Sequence, residues 1–321
     1  MKRLFLIEYE KLRANRSSRI LVGAYFILLT SIALIAAIKF DIGPIKFHLA
    51  EQGIFNFPYI WHFNAFIGAW FKIFLAVVIV SMTANEYSNK TIKQNLIDGL
   101  SKREFLHSKW VMLFSLAAVS TLFIFVVSLL LGLIYSDYNE FSIIVQDLEY
   151  LAAYFIKLMA FFGFCLFLGT AIKRSAFALG FLGIWQMFEG FCYGMLKWKS
   201  PEWLNAEDVY RFFPLNAMGN LIREPFSRLS AVRNLADQVG EQMTKNTDVQ
   251  LLDILIVSFW CYIFYALTYR LLKRRDLYVF AIFGKLWSFN LFLTLNPLEI
   301  SQRPFVNWRK VLLLRINSKP S

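Results

Sequence analysis

Long apolar runs alternate with polar connections along this chain. Six of the runs have about 18 residues or more and few charges, so that each can cross a hydrocarbon core of about 30 Å as a helix. The sequence therefore predicts an all-α integral membrane protein with six transmembrane helices. The predicted spans are residues 20–40, 63–83, 109–135, 149–171, 175–196 and 251–270.

The polar connection between the second and third spans, "NEYSNKTIKQNLIDGLSKREFLHSKW", has a pattern of its own. Its apolar residues recur at helical spacing, at Ile92, Leu96, Ile97 and Leu100. This spacing predicts a short amphipathic helix. Gly99 suits a left-handed stop, and Ser101 with Glu104 has the spacing of a capping box that begins the third span. The alternative is an ordinary connector whose polar face is solvated.

The segment before the first span is also amphipathic and strongly basic. Phe5, Tyr9 and Leu12 form an apolar line, and Lys2, Arg3, Lys11, Arg13 and Arg16 supply positive charge. We expect an N-terminal interface helix that lies along the inner membrane surface, with its cations near anionic lipid head groups.

Composition and charge placement agree with a membrane protein. The chain is 58% hydrophobic and 17% charged, with three cysteines and a net charge of +12, whereas soluble domains are about 25% charged. The basic residues gather in alternate connections, as the positive-inside rule expects, rather than forming a nucleic-acid patch. Both termini are thus predicted to lie in the cytoplasm. The protein itself is expected in the plasma membrane of a bacterium. Lys285 interrupts the last apolar run, so residues 277–321 are predicted to be an interfacial or cytoplasmic tail.

The two amphipathic segments also contain short motifs, at Glu8 and Lys11 before the first span, and at Glu86, Thr91, Leu96, Ser101, Arg103 and Lys109 between spans two and three. These motifs resemble those of the membrane subunits of ABC-2 type transporters, particularly the bacitracin-resistance and sodium-efflux permeases. Lys90 stands where the family usually has a glycine. The resemblance covers residues 1–276, which we expect to form the transmembrane domain, and it implies that the segment after Glu86 is a coupling helix docked on a separate ATPase subunit.

A separate ATPase agrees with the sequence, because the chain has no phosphate-loop motif. We expect Ile92, Leu96 and Ile97 to enter a groove on that subunit, with Lys93, Lys102 and Arg103 at the rim. The carboxylate of Glu86 is expected to accept hydrogen bonds from the first turn of the coupling helix. The resemblance also implies an exporter that works as a homodimer or as a heterodimer with a second permease.

Three ionisable residues, Lys72, Lys157 and Glu189, fall inside predicted spans at about the same depth. Each charge is costly there, so we expect Glu189 to neutralise one lysine while the other reaches outward. The alternative is a polar element on a substrate path. The topology places His48 and His62 on the side opposite His107, which disfavours a histidine metal site.

Two other functions stay open on the sequence alone. One is a non-transporting membrane anchor or sensor for a cytoplasmic ATPase, and the other is an integral membrane lipid-modifying enzyme. The enzyme needs clustered His, Asp or Ser at one membrane face, and no such cluster is evident. We therefore expect no catalytic site and no cofactor, with membrane lipids and the ATPase as partners and no nucleic acid. The substrate is not indicated, because an apolar path suits lipids, peptides and drugs alike.

Overall fold

A computed structural model describes residues 2–37, 39–42, 45–48, 53–89, 91–97, 99–138, 140–199, 205–228 and 247–294. Within these, the side chains of residues 2, 4, 33–48, 93, 96, 97, 199 and 275–294 are not described. The chain divides into two compact units, residues 1–272 and residues 273–321. In the second unit only the backbone is described from residue 275 to Thr294.

The first half of the chain is helical except for one short hairpin. Its elements are α1 (Lys2–Ala14), α2 (Arg16–Ala37), β1 (Lys39–Ile42), β2 (Ile45–His48), α3 (Tyr59–Trp70), α4 (Lys72–Ser88), α5 (Thr91–Ile97) and α6 (Lys102–Tyr135). The side chain of Asn15 separates α1 from α2, because it accepts hydrogen bonds from the backbone of Ser17 and Ser18 and so caps α2. The antiparallel hairpin pairs Lys39 with His48, and it was not expected in an all-α fold.

The second half contains two long helices, several short ones and a final helix that ends in the second unit. Its elements are α7 (Phe141–Val145), α8 (Glu149–Ile172), α9 (Ser175–Lys199), α10 (Ala206–Tyr210), α11 (Pro214–Asn220), a 3₁₀ turn (Phe226–Arg228) and α12 (Leu251–Thr294). The apolar stretch after residue 276, which the sequence predicted to be interfacial, is part of α12. Its side chains lie outside the described residues.

Three helical segments in the described part of the chain are long and apolar enough to cross a membrane, namely Lys102–Tyr135, Phe141–Ile172 and Leu251–Arg274. A fourth candidate is the bent pair of α3 and α4. These four coincide with predicted spans three, four, six and two. The first and fifth predicted spans coincide with α2 and α9, which are not among these candidates in the described part of the chain. The protein is thus a helical membrane protein, with three to four candidate spans among the residues that the structure describes.

The second predicted span is not one straight helix. It is broken at Phe71, where α3 and α4 meet at 41°. The backbone N–H of Phe71 bonds to the carbonyl of Gly68 instead of continuing the α-helical ladder. Lys72 is therefore the first residue of a new helix, and its place in the bundle differs from the mid-helix position that the sequence indicated.

Helix α8 lies at the centre of the bundle, where it packs against α3, α4, α6, α9 and α11. The most apolar window of Phe141–Ile172 is 72% buried, compared with 33% in α6 and 28% in Leu251–Arg274. The outer helices therefore leave much of their apolar surface for lipid or for other chains, as a membrane environment allows.

Helix α6 passes very close to the loop before α3, at Gly132. A Cβ atom added at Gly132 would lie 2.2 Å from the ring of Phe57, which is buried and packs on Trp61. Gly132→Ala is expected to lower the free energy of unfolding by about 1–3 kcal/mol, because the ring cannot move aside freely.

Gly180→Ala is the matched control, since an added Cβ there meets nothing within 4 Å and alanine favours a helix over glycine by about 1 kcal/mol. Thermal unfolding of the two variants in the same detergent compares them. Equal melting temperatures would contradict the close packing at Gly132.

Candidate functional site

Four charged side chains from three helices meet at the end of the bundle where α1 and α5 lie. The ammonium of Lys109 donates to Glu8 Oε2 at 2.5 Å and to Glu86 Oε1 at 2.6 Å. The ammonium of Lys11 donates to Glu8 Oε1 at 2.7 Å and to Glu86 Oε1 at 2.9 Å. Each carboxylate therefore contacts both lysines, and the four residues form a closed ring of alternating charge, here called the charge ring.

The charge ring is assembled from local and distant parts of the sequence. Glu8 and Lys11 are three residues apart on α1 and so share one face of that helix. Glu86 lies in the last turn of α4, and Lys109 lies two turns into α6. The ring joins α1, α4 and α6 through charge-assisted hydrogen bonds, which are roughly twice as strong as neutral ones.

The charge ring is mostly removed from water. The side chains of Glu8, Glu86 and Lys109 are 4%, 8% and 6% exposed, while that of Lys11 is 30% exposed. Burial alone raises the pKa of Glu8, but the nearby charges of Lys109 and Lys11 outweigh it and hold that pKa below 4.5. For Lys11 burial lowers the pKa, and the charges of Glu86 and Glu8 reverse the shift. Both groups are therefore fully ionised at neutral pH.

The turn between α5 and α6 has the predicted geometry. Gly99 has a φ of +96°, a left-handed conformation that glycine adopts without strain. The hydroxyl of Ser101 accepts a hydrogen bond from the backbone N–H of Glu104, whose carboxylate accepts one from the backbone N–H of Ser101. The predicted helix, stop and capping box are thus confirmed.

The predicted role of the Glu86 carboxylate in capping α5 is wrong. The hydroxyl of Thr91 bonds to the backbone carbonyl of Glu86 at 3.3 Å, while the carboxylate binds Lys11 and Lys109. Within the described part of the chain, Glu86 Oε2 is buried and has no hydrogen-bond partner. The resemblance singled out these same residues, but it did not indicate that they bind one another.

Two residues expected to face the ATPase instead contact this chain. Ile92 is only 6% exposed and belongs to the hydrophobic core, so that it is not available to a partner. The guanidinium of Arg103 donates to the hydroxyl of Tyr269 on α12 at 3.0 Å. Leu96, Ile97 and Lys93 lie on α5 as predicted, but their side chains are outside the described residues.

The apolar residues predicted along α1 do not all face the membrane. Leu12 is buried with Val78 and Met112, and Phe5 packs against the same cluster, so that this face contacts the protein rather than lipid.

A cleft of about 370 Å³ separates α1 from α5 and the start of α6. It is lined by residues that include Arg3, Ile7, Asn95, Leu100 and Glu104.

The three intramembrane charges are not paired as expected. Glu189 accepts hydrogen bonds from the backbone of Leu215 at 3.0 Å and Asn216 at 2.9 Å, and from the indole of Trp185 at 2.7 Å. It therefore caps the N-terminus of α11. Lys157 donates to the carbonyl of Gly219 at the other end of α11, at 3.3 Å, and Lys72 lies over the ring of Phe161 at 4.5 Å.

The structure also contains a polar cluster that sequence reasoning missed, at the end of the bundle opposite the charge ring. Arg228 donates to Asp147 at 2.9 Å and approaches Nδ1 of His62 at 3.3 Å. His62 is stacked on Tyr150, with ring centres 4.0 Å apart. The sequence gives little signal for this cluster, because its other members are at least 78 residues from Arg228.

Comparison with known families gives the chain an identity that agrees with this geometry. The model of the ABC-2 family transporter proteins matches residues 11–277, a range that includes Lys11, α4, α5 and α6 with three of the four members of the charge ring. A search of curated proteins found no match. Because the matched range covers most of the chain, the protein belongs to the ABC-2 family of transporter membrane proteins.

Proposed function

We propose that this chain is the permease subunit of an ATP-binding cassette exporter, and that α5 and α1 together dock a separate ATPase subunit. The observation that carries the proposal is the charge ring, which ties α1, α4 and α6 together beside α5. A force applied to α1 reaches α4 and α6 directly through these bonds, and α5 is joined to the end of α4 by the bond from Thr91 to the carbonyl of Glu86.

The cleft beside the charge ring supports a docking role for this end of the bundle. On α1 the side chains of Leu6, Ile7 and Tyr9 are 49%, 43% and 45% exposed, and Ile7 lines the cleft. A segment of the ATPase inserted there would cover apolar surface on one side and contact α5 on the other. Because Ile92 is buried, we propose that only Leu96 and Ile97 of α5 enter the groove on the ATPase.

The test is a substitution in the last turn of α5. Leu96→Asp is expected to leave the protein folded in the membrane and to abolish copurification of the ATPase, because a buried apolar contact of this size contributes about 2–4 kcal/mol to binding. The tagged full chain is purified from its native membranes, and the copurified polypeptide is identified by its phosphate-loop motif. ATP hydrolysis by the purified complex is measured as well.

Phe141→Asp is the matched control for this experiment. Phe141 is 80% exposed and lies at the opposite end of the bundle, so the same change of charge and polarity there should leave the ATPase bound. If Leu96→Asp retains the ATPase at the level of Phe141→Asp, α5 is a connector and not the docking element.

The proposed topology has six spans, with α2 and α9 as the first and fifth. Residues 1–276 would form the transmembrane domain in the plasma membrane, residues 277–321 a cytoplasmic or interfacial tail, and the assembly would contain a second permease, identical or related. The placement of basic residues supports cytoplasmic termini. An impermeant maleimide applied to intact cells should label Glu140→Cys and spare Glu104→Cys, and the opposite pattern would reverse the topology.

A further inference from the structure

Two lysines inside the membrane region lie along one face of α8. The ammonium of Lys72 is 4.5 Å from the centre of the Phe161 ring. Lys157 is one helical turn before Phe161 on α8, and so occupies the same stripe. Both lysines therefore lie beside Phe161, about 12 Å along α8 from its first residue at 1.5 Å per residue.

Neither lysine has a carboxylate partner within the part of the chain that the structure describes. Glu189, the acid at a similar depth, is used in capping α11. Lys157 is 4% exposed, and the one hydrogen bond found for its ammonium, to the carbonyl of Gly219, is long at 3.3 Å. An ammonium has three donors, and an uncompensated charge at such a depth is costly.

The backbone adds further positive potential at the same place. Lys72 is the first residue of α4, after the break at Phe71. The N-terminus of a helix carries a partial positive charge and unbonded N–H groups. In transporters with interrupted helices, such half-helix termini near the middle of the bilayer face the charged groups of ligands.

From this arrangement we infer that Lys72, Lys157 and the start of α4 bind the anionic head group of an amphiphile, a phosphate or a carboxylate that carries an apolar tail. A negative head group supplies the charge that the protein lacks at this position. The tail is required because the neighbouring surface is apolar, with Phe161 beneath Lys72 and Trp70 beside it, 70% exposed. The inference names a substrate class for the proposed exporter and rests on that function for its role, but the binding itself is a property of this chain alone.

The test measures binding to the purified full chain in a nonionic detergent. Dodecyl phosphate, which has a short tail and a free phosphate, is titrated against a bound dansyl-labelled fatty acid, and dodecylphosphocholine is the probe with the same tail and a neutralised phosphate. Dodecyl phosphate is expected to displace the label and to raise the melting temperature, and dodecylphosphocholine to do neither. Wild-type protein that responds equally to both probes would overturn the inference.

Variants then locate the site. Lys72→Gln and Lys157→Gln are each expected to weaken dodecyl phosphate binding by at least about tenfold, while Lys157→Arg, which keeps the charge, retains it. Lys197→Gln removes a lysine from the exposed end of α9 and should change nothing. Unchanged affinity in both glutamine variants would place the probe elsewhere and overturn the inference. If a glutamine variant does not fold, the comparison of the two probes on the wild-type protein still decides whether the chain binds an anionic head group.

The source of the head group is distinguished in nanodiscs. If phosphatidylglycerol added to phosphatidylcholine nanodiscs displaces the labelled fatty acid, the site takes a bilayer lipid. If the label binds equally at every lipid composition, the site takes a free amphiphile. Both results support an anionic head group at Lys72 and Lys157. Neither measurement requires the ATPase. The binding test can therefore fail while the ATPase still docks through Leu96, and docking through Leu96 can fail while the amphiphile still binds.

Discussion

Lys109→Met is expected to destabilise the protein by about 3–5 kcal/mol, the usual cost of removing one partner from a buried ion pair. The ammonium of Lys109 binds Glu8 at 2.5 Å and Glu86 at 2.6 Å. Without it, two buried carboxylates share the single charge of Lys11, and their mutual repulsion is no longer balanced. Helix α1 should then separate from α4 and α6.

Lys11→Met is the matched control, because Lys11 contacts the same two acids but is 30% exposed, so that water can replace part of its role. We expect a smaller loss of stability for this variant. Glu86→Gln combined with Lys109→Met should recover part of the loss, since the double variant again has as many positive as negative charges in the ring. Thermal unfolding in detergent and protease protection of α1 measure the effects. If Lys109→Met is as stable as the unaltered protein, the charge ring does not hold α1.

Glu189→Leu is expected to have an effect of similar size at the opposite end of the bundle. Glu189 is fully buried and accepts three hydrogen bonds, two of them from the first turn of α11. Leaving a buried donor unsatisfied costs about 1–3 kcal/mol, so that loss of all three amounts to several kcal/mol. Glu189→Gln should cost less, because its amide oxygen can still accept from Trp185 and Leu215, the two donors to Oε1, while only the bond from Asn216 is lost.

The control for this prediction is Glu149→Leu, which removes an exposed acid at the start of α8 and should be nearly neutral. A double change of Glu189 and Lys157 provides a second check. Because the two side chains bind opposite ends of α11 rather than each other, Lys157→Met should not rescue Glu189→Leu. A rescue larger than about 0.5 kcal/mol would mean that the two charges form the pair that the sequence suggested.

The local features of the fold were predictable from the sequence because their causes are local. The capping box at Ser101 and the left-handed Gly99 follow from the conformational preferences of adjacent residues. The apolar runs likewise locate the first residues of α8, α9 and α12, although α12 continues well beyond the predicted end at residue 270. The break at Phe71 was missed because neither proline nor glycine stands there, and Gly68, three residues earlier, is also common within membrane helices.

The site was predictable only in part, because its partners are distant in the sequence. Spacing indicated that α5 has an apolar face, but it could not indicate that Ile92 turns into the core of its own chain. The resemblance identified all four members of the charge ring, and only the tertiary structure brings them into contact. Glu189 was paired with a lysine because the backbone N–H groups that it binds belong to no particular residue type and leave no pattern in the sequence.

The bonds at the two ends of α11 also have a consequence for biosynthesis. The carbonyl of Gly219, which accepts from Lys157, is synthesised 62 residues after that lysine. The backbone N–H groups of Leu215 and Asn216, which donate to Glu189, are synthesised 26 and 27 residues after that acid. At a synthesis rate of about 5–20 residues per second, Lys157 spends roughly 3–12 s without its carbonyl. A chain stopped before α11 would hold both groups without these partners, which is the state that quality-control proteases of the membrane act on.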